Sequence, residues 1–224
     1  MENKEIKLSP SKLNLFLECK LCFWLENVKN IHRPAGPFPS LPSGMDLTIK
    51  KYFDKFRERG EMPPEIEGKV EGKLIQNLEL LNKWRSNKVG INFKDDKIGA
   101  ILMGAIDECL VNKEFYIPLD FKTRGFNLKE DSTSFYQNQL DCYCLLIEKS
   151  GFNQPNFAYL VYFIPEEFKG EGIVKFKVEV KKMKTSPERA LKIFEEAVNL
   201  LKSEAPSKSH SDCNFCAWRE KEVN

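Results

Sequence analysis

The sequence predicts a mixed α/β fold, a central mixed β-sheet flanked by helices, in one domain covering residues 1–224. Three observations predict it. The chain has 224 residues, 42% of them hydrophobic, with 17 Phe, 6 Tyr and 3 Trp, which is enough apolar mass for one sizeable core and too much for a disordered chain. Its patterns run helices, three strands, helix, two strands, helix, an order that places helices against a sheet. The strand-like runs are rich in β-branched and aromatic residues and are bounded by turn formers.

Ser9-Pro10 offers a capping serine with proline at the first helical position, and Leu13, Phe16, Leu17, Phe23 and Trp24 follow at near-helical spacing. A first helix is therefore expected within 8–30, carrying a cysteine pair. Four prolines between Ile31 and Ser43 mark a loop. Helices are expected over 45–57 and 68–84, separated by a break at 60–64. Strands follow at 89–93, 98–111 and 114–123, expected to pair as an antiparallel meander. A helix over 134–149, strands at 157–163 and 172–180, and a helix from Ser186-Pro187 to about Ser203 complete the core, so the sheet with its crossing helix occupies 89–182. Residues 203–211 read as a linker, and 204–224 as a C-terminal cysteine segment.

Composition bounds the function classes. The 35 Lys+Arg against 33 Asp+Glu leave a formal net charge of +2, so bulk charge does not identify a polyanion partner and local clusters must. No run approaches ~18 apolar residues and no charged-then-apolar leader opens the chain, which predicts a soluble cytoplasmic protein without a membrane partner. Seven cysteines in such a chain point to a reducing compartment, where paired cysteines bind metals more often than they form disulfides.

The tightest cluster of chemistry lies in the hairpin between GAIDE (104–108) and PLDFKTR (118–124). A two-residue turn centred on Asn112-Lys113 sets Asp107 opposite Pro118 and diagonal to Asp120. Alternation then puts Asp107, Asp120 and Lys122 on one face. Diagonal neighbours have Cβ atoms about 7–8 Å apart, so two such carboxylates can chelate one ion. Phe121 points to the other face, with its carbonyl as a possible third ligand. Mg2+ or Mn2+ suits this oxygen-rich set. A metal-bound water is the expected nucleophile, with Lys122 positioned to steady developing charge. By itself, the same pattern also describes a surface Asp–Lys ion pair. In the next helix, Gln139 and Tyr143 are four residues apart and share a face. Glu108 turns to the opposite strand face and reads as structural.

The run GAIDE, LDFKT and QLDCYCLLIE resembles the PD-(D/E)XK nuclease superfamily, most closely its RecB-like branch of CRISPR-associated exonucleases and helicase-nuclease repair domains. The opening SPSKLNLFLECKLCFWLE resembles the first helix of that branch. The resemblance implies a restriction-endonuclease-like core and a metal-dependent DNA nuclease, with exonuclease action on single strands or ends. It implies that Asp107 and Asp120 bind metal, Lys122 assists catalysis, and Gln139 with Tyr143 support the site. It also implies work in DNA repair, recombination or CRISPR adaptation, beside a helicase or adaptation proteins. Branch members often carry a metal-binding histidine four residues after a glycine, whereas here Gly44 leads to Thr48 and the histidines are His32 and His210. A competing class is therefore a catalytically inactive nucleic-acid-binding module.

ECKLCFW (18–24) and DCNFCAW (212–218) set Cys19, Cys22, Cys213 and Cys216 in two C-x-x-C pairs, able together to complete four-thiolate coordination and staple the chain ends. The resemblance favours a [4Fe-4S] cluster. On chemistry alone Zn2+ fits as well, and free or oxidised thiols remain a further reading, as does a zinc-stapled interaction protein. Cys109, Cys142 and Cys144 read as core residues. KGEGIVKFKVEVKKMK (169–184) holds six lysines, with Lys175 and Lys177 on one face, and reads either as a phosphate track or as a lysine-protected edge strand. Lys122, Arg124 and Lys129 extend positive charge beyond the carboxylates, and Phe23 and Trp24 either stack bases or pack beside the cysteines.

Overall fold

The computed structural model describes residues 5–203 and 208–222. The ends of the expected domain, 1–4 and 223–224, lie outside the described residues, as does 204–207 of the expected linker and C-terminal segment.

Strands β2 (Lys73–Leu74), β5 (Glu108–Asn112), β6 (Phe115–Thr123), β7 (Phe157–Gly170) and β8 (Ile173–Lys184) form a five-stranded sheet in the order β2-β5-β6-β7-β8. It is mixed: β6 and β7 pair in parallel across helix α5 (Gln137–Lys149), and the other neighbours are antiparallel. A smaller sheet holds β1 (Ile6–Leu8), β4 (Ala100–Gly104) and β3 (Ile91–Asp95). The expected meander is thus corrected. The run over 98–111 divides at 105–107, sending β4 to the small sheet and β5 to the large one. Gly90 shows why the chains cross so closely there: its φ is +57°, and a Cβ would stand 2.3 Å from the Gly104 carbonyl oxygen.

Alternation along β6 and β7 divides the interior into two cores. Ile117, Leu119, Phe121, Tyr159, Val161 and Phe163 pack with Ile49 and Phe53 of α3 (Ser40–Arg59). Ala158, Leu160, Tyr162 and Ile164 pack with α5, α1 (Pro10–Glu18) and α6 (Pro187–Lys202). The side of β6 carrying Pro118, Asp120 and Lys122 therefore faces α5.

Helix boundaries differ from expectation in three places. The helix expected within 8–30 divides at Cys19, whose extended backbone ends α1 and starts α2 (Lys20–Val28). Helix α3 starts five residues before the expected Met45 and holds Pro42 in its first turn, where a missing N–H leaves no bond unmade. Of the helix expected over 68–84, only α4 (Leu78–Arg85) forms, capped by the Asn77 side chain accepting from Leu80 N–H. The remainder is held open by Gly72, at φ +92°, where a Cβ would meet the Val111 carbonyl oxygen at 2.6 Å. That approach lets β2 pair with β5. The β7–β8 hairpin is longer than expected and ends in a turn at 171–172. Its lysines sit on an exposed edge strand, with Lys175 paired to Glu166 and Lys177 and Lys181 to Glu179, which matches a solvated, lysine-protected edge. Phe23 and Trp24 are buried, which removes them as base-stacking surfaces.

Candidate active site

The β5–β6 turn sits at Lys113-Glu114, one position later than expected, so paired residues sum to 227 rather than 225: Cys109 faces Pro118 and Glu108 faces Leu119. A shift of two in the sum preserves the face of every side chain. Asp107, in the bend just before β5, comes beside Asp120 and accepts a hydrogen bond from Phe121 N–H at 3.1 Å. Asp107, Asp120, Phe121, Lys122, Gln139 and Tyr143 all line one cleft of about 570 Å³. The Phe121 ring itself belongs to the opposite side of the strand and packs edge-on against Phe53, 4.6 Å between centroids.

Gln139 ties the polar groups together. Its amide nitrogen donates to Asp120 Oδ1 at 3.0 Å and to Tyr143 OH at 2.7 Å, while its oxygen accepts from Lys122 Nζ at 3.2 Å. The Lys122 ammonium is also in ion-pair contact with Asp120 Oδ2 and lies 4.5 Å from the centre of the Tyr136 ring. Oδ2 is buried, and this ion pair is its contact with a cation.

Electrostatics follow from this crowding. Burial pushes the Asp120 carboxyl up to about 7, the neighbouring Asp107 charge adds to the rise, and Lys122 opposes it. Burial, then the two aspartates, hold Tyr143 well above the usual phenol range, so it remains a neutral hydroxyl. Burial works against the Lys50 ammonium, but Asp107 and Asp46 more than offset it and raise its pKa.

Three contributors lie outside the hairpin and were not legible in it. Helix α3 brings Asp46 and Lys50, and Lys50 bridges Asp46 and Asp107 Oδ1 at 2.7 Å each. The i,i+4 acid–base pair at 46 and 50 was the available signal. Thr48, in the position compared with the family histidine, is exposed and its hydroxyl donates to the Gly44 carbonyl, so it takes no part. From α4, Arg85 donates to the Asp107 carbonyl at 2.8 Å and pairs with Asp54 and Glu108. Glu108, fully buried, also pairs with Arg57. This quartet, buried at Arg57 and Glu108 and part-exposed at Asp54 and Arg85, holds the bend that aims Asp107.

A profile of the PD-(D/E)XK nuclease superfamily matches residues 43–220. The chain belongs to that superfamily. The match names the superfamily and no branch within it, and no match was found among curated proteins. PD-(D/E)XK nucleases use divalent metals, and the residues present suit such an ion. Asp107 and Asp120 are carboxylate oxygen donors lining the same cleft, the hard-donor chemistry that such an ion takes, and Asp120 Oδ2 is buried with the Lys122 ammonium as its cation partner.

The second expected site also assembles. The four paired cysteines are buried and their Sγ atoms all lie within 4.8 Å of one another. Cys19 is drawn down to about 6 against burial, by backbone hydrogen bonds at Cys22 and His210. Cys109, Cys142 and Cys144 are buried elsewhere, where desolvation raises all three. No helix among the described residues is long and apolar enough to cross a membrane.

Proposed function

We propose that the protein is a divalent-metal-dependent deoxyribonuclease that hydrolyses phosphodiester bonds in this cleft. The observation that carries the reading is the convergence of Asp107, Asp120 and Lys122, tied by Gln139, in a chain of the nuclease superfamily. Asp107 and Asp120 are assigned to hold Mg2+ or Mn2+, with the Phe121 carbonyl as a further ligand. A bound ion of this kind supplies an acidified water and neutralises charge on the phosphate. Lys122 places a positive charge beside the attacked group. Gln139 orients both Asp120 and Lys122, and Tyr143 holds Gln139 in place.

The surroundings support a nucleic-acid strand as substrate. The cleft adjoins a second groove of about 470 Å³, sharing Asn87, Ala105, Gln139 and Tyr143 with it, and lined farther on by Lys7, Ser11 and Lys12 with no acidic side chain. A strand leaving the carboxylates along this groove meets positive charge that its phosphates require. Exonuclease action on single strands or ends, and a role in repair, recombination or CRISPR adaptation beside a helicase or adaptation proteins, rest on the resemblance to the RecB-like branch alone.

The test is cleavage of end-labelled single- and double-stranded DNA with Mg2+ or Mn2+, comparing wild type with Lys122→Ala and Asp120→Ala. Cleavage lost in both variants, with folding and DNA binding retained, is the expected result. A wild type that binds DNA and cuts neither form with either metal would replace this reading with the inactive binding module.

A further inference from the structure

The four paired thiols stand closer together than a four-iron cluster requires. Cys22 Sγ lies 3.5 Å from Cys216 Sγ and 3.6 Å from Cys213 Sγ, Cys19 Sγ lies 3.8 Å from Cys216 Sγ, and the whole set falls within 4.8 Å. One zinc ion bound by four thiolates at ~2.3 Å in tetrahedral geometry sets each S–S edge near ~3.8 Å. A [4Fe-4S] core gives each thiolate its own iron at a separate corner of a cube, which spreads the sulfurs to roughly 6 Å. Three of the separations lie close to the first figure, and every pair, at no more than 4.8 Å, falls short of the second. The cluster that the resemblance favours therefore does not fit these residues.

The backbone gives the two pairs the same form. Cys19 caps α2 and Cys22 lies in its first turn; Cys213 directly precedes α7 (Asn214–Glu222) and Cys216 lies in its first turn. Phe23 N–H donates to the Cys19 carbonyl and Ala217 N–H to the Cys213 carbonyl, both at 3.0 Å. Two helix starts thus converge, and their partial positive charge favours thiolates over thiols. Two guanidinium groups add to it: Arg33 Nη2 lies 3.7 Å from Cys213 Sγ, and Arg219 Nη2 lies 3.9 Å from Cys216 Sγ. Such donors offset the double negative charge of a zinc tetrathiolate.

We infer that Cys19, Cys22, Cys213 and Cys216 hold a single tetrahedral zinc ion. With four buried protein ligands the site is closed to substrate, so its role is to tie α7 to the α1–α2 junction. The inference stands apart from the nuclease reading and is tested without an activity assay. The full chain, expressed with both iron and zinc in the medium and purified anaerobically, is analysed for metals, acid-labile sulfide and visible absorbance. The expected result is about one zinc per chain, no sulfide and no band near ~400 nm, with the zinc lost in Cys213→Ser/Cys216→Ser. Replacing zinc by cobalt in the wild type should give the visible bands of a tetrahedral thiolate site. Stoichiometric iron with sulfide, zinc that survives the double substitution, or a wild type that carries no metal would each overturn it.

Discussion

Replacing Asp120 by Asn should stabilise the metal-free protein while destroying the cleft's chemistry. The folded state holds the Asp120 proton up to pH about 7, whereas an ordinary aspartate releases it near 3.8. Between those values the unfolded chain binds fewer protons than the folded one, so stability falls as pH rises through this window and levels above it. Raising the carboxyl from 3.8 to about 7 costs the folded protein at most on the order of 4 kcal/mol at pH 8, since each pH unit between the two values is worth about 1.4 kcal/mol. The amide carries no such penalty, although it leaves Lys122 with a weaker partner, so a net gain of about 2 kcal/mol is expected. The assay is urea unfolding of both proteins from pH 5 to pH 8 in buffers without added divalent ions. Titrating groups that do not interact with Asp120 cancel in the difference between the two proteins, which leaves Asp120 and its neighbours Asp107 and Lys122 to set it. That difference should grow in favour of Asp120→Asn as pH rises, and added Mn2+ at pH 8 should stabilise only the wild type. A difference that stays flat across the range, or a wild type more stable at pH 8 without metal, refutes the reasoning.

The remaining predictions concern groups that shape the site from behind. Arg57→Met leaves the buried Glu108 carboxylate with Arg85 as its one remaining cation partner among the described residues and should cost about 3–5 kcal/mol in urea unfolding. The double substitution Arg57→Met/Glu108→Leu should cost less than Arg57→Met alone, and a larger loss would show that the pair is not the source of the effect. Lys50→Met removes the ammonium that competes for Asp107, and should tighten Mn2+ binding about tenfold, equivalent to about 1.4 kcal/mol. Titration of the Mn2+ EPR signal reads this directly, and unchanged or weaker binding would sink it.

The carboxylate face was legible because it depends only on parity. Asp107, Asp120 and Lys122 fall on one side for any turn that shifts the pairing sum by two, and the actual turn at Lys113-Glu114 makes that shift. The split of the strand over 98–111 was not legible, because its apolar run continues through Ala105 and Ile106. The break comes from the crossing at Gly90 and Gly104 and from Ile106 N–H donating to the Trp84 carbonyl, contacts between segments far apart in sequence. Asp46, Lys50 and Arg85 escaped notice for the same reason. Their helices read as ordinary amphipathic surfaces until the tertiary fold brings them to Asp107. Likewise, C-x-x-C spacing announces four thiolates but carries no information on their separation, the quantity on which the inference of one ion rather than four rests.

The two sites share a structural path. The cysteine staple holds the α1–α2 junction, and α1 packs on α5, where Asn138 donates to Asn14 Oδ1 at 2.7 Å and to the Pro10 carbonyl at 3.3 Å. Gln139, the next residue, is the one that orients Asp120 and Lys122. Each link is a packed or hydrogen-bonded contact, so the staple supports the cleft through α1 rather than through any direct contact with its carboxylates. Asp107 is held from the opposite side, by Arg85 and the Glu108–Arg57 pair, which do not touch the staple. Loss of the staple metal would therefore loosen the Gln139 side of the cleft first and leave the Asp107 side in place.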